Sequence, residues 1–222
     1  MAFKANWWKY LSIVLILYAV IRGLTVKVPQ IEQLENTIRN LFFHVGMWFT
    51  MIVLLAVSFY NSIRYLGKFN LRYDIIAHQA AVVGLLFGFM GIVTGMTWAR
   101  FTWGAFWVRD PKLNGAAVGI LIYLAYMILR SSLDEESRRA KVAAVYNIFA
   151  FVLFIVFIGV LPRLAEESIH PGRQGNPALP MDLDVKMRYV FYPAMFGWIL
   201  LGLWILNILK RMNFLKNKLE SF

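Results

Sequence analysis

The sequence predicts an all-α, polytopic integral membrane protein with six transmembrane helices, and three observations carry that expectation. Of 222 residues, 60% are hydrophobic and only 16% charged, with a mean hydropathy of +0.60. A soluble domain of this length could not bury so much apolar side chain, whereas a lipid-embedded one need not. Six stretches reach the roughly 20 mostly apolar residues that a helix needs to cross the hydrocarbon core. Most of the cations fall between those stretches.

The first span covers Tyr10–Val26, behind Lys4 and Lys9. A cleaved signal peptide is the rival reading. Arg22 and Lys27 close the apolar run and no A-x-A cleavage pattern follows, so a retained helix is expected. The remaining spans are Leu41–Tyr60, Ile75–Thr97, Leu113–Leu129, Val142–Leu161 and Tyr189–Leu209, each bounded by charges or by Pro and Gly. Residues 1–222 therefore read as a single six-helix membrane domain, with an outer Trp-rich segment (98–112) and a long outer loop (162–187).

Orientation follows from Lys and Arg in the connections. One side carries thirteen: Lys4, Lys9, Arg64, Lys68, Arg72, Arg130, Arg138, Arg139, Lys141, Lys210, Arg211, Lys216 and Lys218. The other carries ten. The richer side, with both termini, is expected to be cytoplasmic. The net charge of +11 then serves orientation and contact with anionic lipid or an anionic ligand. No nucleic-acid motif accompanies it, and nucleic acid is not an expected partner.

Cysteine is absent, which excludes disulfides, iron–sulfur ligation, thiolate zinc and a thioether-attached haem on this chain. Any transition-metal chemistry must draw on His44, His78 and His170, on carboxylates or on Met sulfur. His44 lies in the first turn of the second helix, which enters from outside, and His170 lies in the last outer loop. These two can meet. His78 starts the third helix from the cytoplasmic side, roughly 30 Å away at 1.5 Å per residue, and forms a helix-face pair with Asp74.

The outer segment between the third and fourth spans is the stronger signal. Trp98, Phe101, Trp103, Phe106 and Trp107 fall within ten residues, with Arg100 and Arg109 among them. An interfacial aromatic belt usually contributes a residue or two per helix end. If the segment is helical, Trp103 and Trp107 share a face. Rings beside guanidinium groups suit a large, flat, anionic ligand. Haem is such a ligand, and two histidines on the same side could supply its axial nitrogens. Asp110-Pro111, directly before the fourth span, reads as an N-cap followed by proline at the first helical position.

The run Trp103-Gly104-Ala105-Phe106-Trp107-Val108-Arg109-Asp110 resembles the tryptophan-rich W-G-x-x-W-x-W-D ("WWD") signature of the haem-handling proteins of cytochrome c maturation. Arg39 to His44 resembles the Arg-x-x-x-x-His stretch of the haem exporter protein C (CcmC) family, and His170-Pro171-Gly172 resembles its second histidine. Arg109 stands where the motif has its third Trp, and Phe106 replaces an inner aromatic; stacking area is lost and a cation gained. The resemblance implies a bacterial inner-membrane protein that holds haem b transiently at the periplasmic face. His44 and His170 would be the axial ligands, and Trp98, Trp103, Gly104, Trp107 and Asp110 the platform. Arg39 and Arg109 are the candidates for the propionates. It further implies delivery to a membrane-anchored haem chaperone (CcmE), beside an ABC-type ATPase (CcmA with CcmB) and a small membrane subunit (CcmD). The alternatives are a redox subunit of b-type cytochrome character and a small-solute transporter. No nucleophile–base–acid set is visible, so an enzyme is not expected.

Overall fold

The computed structural model describes residues 2–29, 34–165, 168–170 and 183–219. Among them, six helices are long and apolar enough to cross a membrane: Asn6–Thr25, Asn36–Lys68, Leu71–Trp103, Pro111–Ser131, Glu136–Leu164 and Val185–Leu219. The chain is thus a multi-pass membrane protein. We call α1 Ala2–Thr25, α2 Leu41–Lys68, α3 Leu71–Trp103, α4 Pro111–Ser131, α5 Glu136–Ile155, α6 Leu161–Leu164 and α7 Val185–Leu219. A 3-10 turn, Glu35–Asn40, leads into α2, and a π-helical turn, Val156–Val160, joins α5 to α6. Large apolar side chains such as Val93, Ile128 and Phe149 stay on the outside, as a lipid-facing surface requires.

The helices run longer than their apolar cores suggest. The third span extends from the expected Ile75–Thr97 to Leu71–Trp103, taking in Trp98 and Phe101. Gly104 then stops it in the left-handed region, φ 82°, where its N–H still bonds Arg100 O at 3.2 Å. Trp103 and Trp107 therefore do not share a helix face: the helix ends between them. At the other end, Phe69 (φ 50°) and Asn70 make a two-residue turn from α2 to α3, and Asn70 caps α3 by accepting from Arg72 N.

The α2–α3 pair is the centre of the bundle, and glycine makes it. On α3, Gly84, Gly88, Gly91 and Gly95 recur at four, three and four residues. They meet Leu55, Met51, Trp48 and His44 of antiparallel α2, spaced to match. A Cβ added at these glycines would come within 2.9, 2.6, 2.9 and 2.7 Å of the four side chains, respectively. Small residues let neighbouring helices approach where lipid supplies no hydrophobic drive for association. The main core then gathers Leu54, Phe87, Tyr123 and Phe154, among others, from α2, α3, α4 and α5.

α1 packs chiefly on α7. Pro193 stands inside α7 and has no N–H for the carbonyl of Tyr189, four residues earlier. The Tyr18 hydroxyl of α1 donates to that carbonyl at 3.1 Å, and Ser12 Oγ donates to Gly197 O at 3.1 Å. At the opposite end from Trp103, Arg130 of α4 pairs with Asp74 of α3 through two buried bonds of 2.7 and 2.6 Å. His78, one turn along α3, packs near Tyr126 with ring centroids 6.4 Å apart.

Candidate functional site

At the end of the bundle where α3 stops and α4 starts, α2, α3, α4 and the π–α6 segment part to form a cleft of about 210 Å³. His44 and His170 both line it. His78 does not. The walls are otherwise largely apolar, from Val45, Trp48, Ile92, Met96 and Leu113, with Trp107, Lys112 and Arg163 also on the lining.

His44 is held from behind. Its Nδ1 lies 3.0 Å from Gly91 O and 3.1 Å from the Thr94 hydroxyl. A carbonyl oxygen can only accept, so Nδ1 carries the proton and the lone pair resides on Nε2. Thr94 Oγ1 donates its own hydrogen along α3, toward Met90 O at 2.8 Å, and so can accept from the same ring N–H. The glycine at 95 leaves room for the ring. A second-sphere carbonyl that fixes the tautomer is what a metal-ligating imidazole needs.

His170 is held from the sides. Its ring lies edge-on to Trp98 at 5.5 Å and tilted to Trp103 at 5.6 Å, and those two indoles meet each other at 4.9 Å. Trp98 is fixed in turn, its Nε1–H donating to Thr37 Oγ1 at 3.2 Å. Burial, with Lys112 and His44 nearby and Asp110 opposing them, pushes the His170 imidazole down to about 3. It is therefore neutral at any physiological pH. Among the described residues its buried Nδ1 has no hydrogen-bond partner.

The expected platform is divided among different tasks. Trp107 lies on the cleft, with Nε1–H donating to Asn114 Oδ1 at 3.2 Å. Trp98 and Trp103 are not on the lining; they cage His170. Gly104 ends α3. Asp110 caps α4 as its place before Pro111 suggested, accepting from Lys112 N at 2.8 Å and Leu113 N at 3.4 Å. Arg39, the other propionate candidate, is off the lining; its Nη1 donates to Gly23 O at 2.9 Å and Val26 O at 2.7 Å and closes the end of α1. Arg109 is exposed and off the lining. The cleft's cations are Lys112 and Arg163, which sequence reasoning passed over because both sit at span ends, where a positive charge is ordinary. Pro171, Gly172, Arg173 and the other residues up to position 182 lie outside the described residues, as do 166 and 167.

These features define a class: a six-span membrane protein with a histidine-lined, aromatic-rimmed cleft at one end of its bundle. Sequence comparison gives that class a family. The family model "Heme exporter protein C" (CcmC) matches residues 2–214, and the chain belongs to this family. The Heme exporter protein C of Bradyrhizobium diazoefficiens is 34% identical over 124 residues, 54% of this chain and 46% of that protein. The one from Haemophilus influenzae is 24% identical over 216 residues, 93% and 83% of the two chains. A shorter match, 35% over 91 residues, links 41% of the chain to 29% of the cytochrome c biogenesis protein CcsA of a Synechococcus strain.

Proposed function

We propose that this protein binds haem in the cleft at the outer face of a bacterial inner membrane and presents it for cytochrome c maturation. Haem export is the role named by its family. The observation that carries the site is that His44 and His170, 126 positions apart in the chain, line one cleft. His44 has its Nε2 lone pair free by tautomer, and His170 is kept neutral by burial. The donor set fits haem. Two neutral imidazoles suit the iron, apolar walls suit the porphyrin faces, and Lys112 and Arg163 suit the propionates. On this reading haem b is cargo, held until the membrane-anchored chaperone CcmE takes it, with CcmA, CcmB and CcmD as neighbours. Both termini are cytoplasmic.

Haem titration of the purified protein tests the site. Wild type and His78→Ala should give the same six-coordinate spectrum, while His44→Ala and His170→Ala should each lose it. Loss in His78→Ala alone would move the site to the other end of the bundle. For orientation, an impermeant thiol reagent applied from outside should label Asn36→Cys and leave Asp134→Cys unmodified.

A further inference from the structure

Asp110 faces two ways. One carboxylate oxygen, Oδ1, caps α4. The other, Oδ2, accepts from Ser168 Oγ at 2.8 Å and from Ile169 N at 3.1 Å. Ser168 Oγ in turn accepts from His170 N at 3.2 Å. The hydroxyl has one hydrogen, and it goes to the carboxylate; a lone pair remains for the histidine amide. Asp110 is 1% exposed, while Ser168 and His170 are half-buried and Ile169 is exposed, so the carboxylate is covered and its partners lie at the cleft's rim.

Capping alone does not explain a carboxylate here. Asn, Ser or Thr caps a helix about as well with a single oxygen. The second oxygen is engaged with a segment of chain 58 and 59 positions away. That segment has no regular structure of its own, yet it carries one of the two cleft histidines. Charge-assisted bonds from a carboxylate are the stronger kind, and this one sits on the first turn of a membrane helix, a rigid support.

We infer that Asp110 and Ser168 are positioning residues for His170: a carboxylate–hydroxyl clasp that ties the backbone at 168–170 to the start of α4. The indoles of Trp98 and Trp103 orient the ring; the clasp sets the height of its Cα over the cleft. The inference rests on the reading of His170 as an iron ligand, and adds what holds that ligand in place. It also gives the Asp of the Trp-rich motif a task distinct from contact with haem.

The test compares Asp110→Asn, Ser168→Ala and His170→Ala by haem titration, by the ratio of six- to five-coordinate haem and by thermal unfolding. Asn keeps a capping oxygen but places an NH2 group, or no acceptor, where Ser168 and Ile169 donate. Ser168→Ala leaves the cap untouched and covers the case in which Asp110→Asn fails to fold. Both variants should shift the haem toward five-coordinate and weaken its binding about tenfold, in line with the loss of a hydrogen bond to a charged group. Added imidazole should restore the six-coordinate spectrum in both. A purely structural role would lower Tm without an imidazole-rescued ligation change, and that result would overturn the inference. So would wild-type spectra in both variants while His170→Ala loses the ligand, an outcome that leaves the haem reading standing. A wild-type spectrum in His170→Ala itself would overturn both.

Discussion

His44 and Gly95 meet at a separation that no side chain could share. A Cβ at position 95 would lie 2.7 Å from His44 Cε1 and 3.3 Å from Nδ1, the atom that bonds Gly91 O. The imidazole is a rigid ring, and it cannot yield by a change of rotamer at its tip. Gly95→Ala should therefore push the ring off its carbonyl and weaken haem binding by roughly three- to tenfold, the value of one ordinary hydrogen bond. Gly84→Ala meets the flexible end of Leu55 and should lower Tm while leaving the haem spectrum alone. Equal haem titrations for wild type and Gly95→Ala would refute the assignment.

The opening of the His170 segment should depend on pH. In the closed form burial holds the imidazole near 3, against an ordinary 6.5 once exposed. The open form therefore binds the proton first. Stability of the closed segment is fully present above about 6.5 and is lost as pH falls from there toward 3, by up to tenfold in the opening equilibrium per pH unit. Hydrogen exchange at the Ile169 and His170 amides, corrected for intrinsic rates, should speed up over that window. His170→Gln should abolish the dependence.

A third expectation concerns Tyr18 and Pro193. Because proline frees the Tyr189 carbonyl that Tyr18 satisfies, Tyr18→Phe should cost about 1 kcal/mol. In a Pro193→Ala background the helix supplies its own donor, and the same substitution should cost clearly less. A double-mutant cycle in one detergent measures the coupling. Additive effects would disconnect the two.

The Asp74–Arg130 pair, with side chains 7% and 11% exposed, is shielded and bidentate. Removing one partner strands a buried charge, so Asp74→Ala should destabilise by about 3–5 kcal/mol. Replacing both with apolar residues should recover much of that. Haem ligation in the double variant should match wild type, since the pair lies at the end of α3 remote from the cleft.

Much of this architecture was legible in the sequence, because hydropathy, caps and connecting charges are local signals. The six spans, Asp110-Pro111 as a helix start and the meeting of His44 with His170 belong here. The last followed from topology alone: one histidine at a helix end and one in a loop on the same side of the bundle. What escaped is set by contacts between distant segments. Trp98 and Trp103 read as rings near a ligand; that they flank His170, 5.5 and 5.6 Å from its ring, takes the fold to see. Arg39, five residues before His44, gives no sign in the sequence that its Nη1 bonds the carbonyls of Gly23 and Val26 at the end of α1. The Gly84–Gly95 stripe reads as a set of small residues in one helix; only the side chains of α2 show what each glycine admits.

That stripe has a mechanical consequence. Met51, Trp48 and His44 sit in three consecutive notches of α3, and Leu55 in a fourth. To slide α2 along α3 would require lifting all four side chains together, and the two-residue turn at Phe69-Asn70 blocks such travel at one end. The two helices act as the fixed jaw of a vice. Any adjustment in the width of the cleft falls to the opposite jaw, formed by the start of α4 and the π-helical turn before Pro162. Of that wall, the Val156–Val160 turn departs from regular α-helix, as π-turns at functional sites often do, while α4 is regular from Pro111 on.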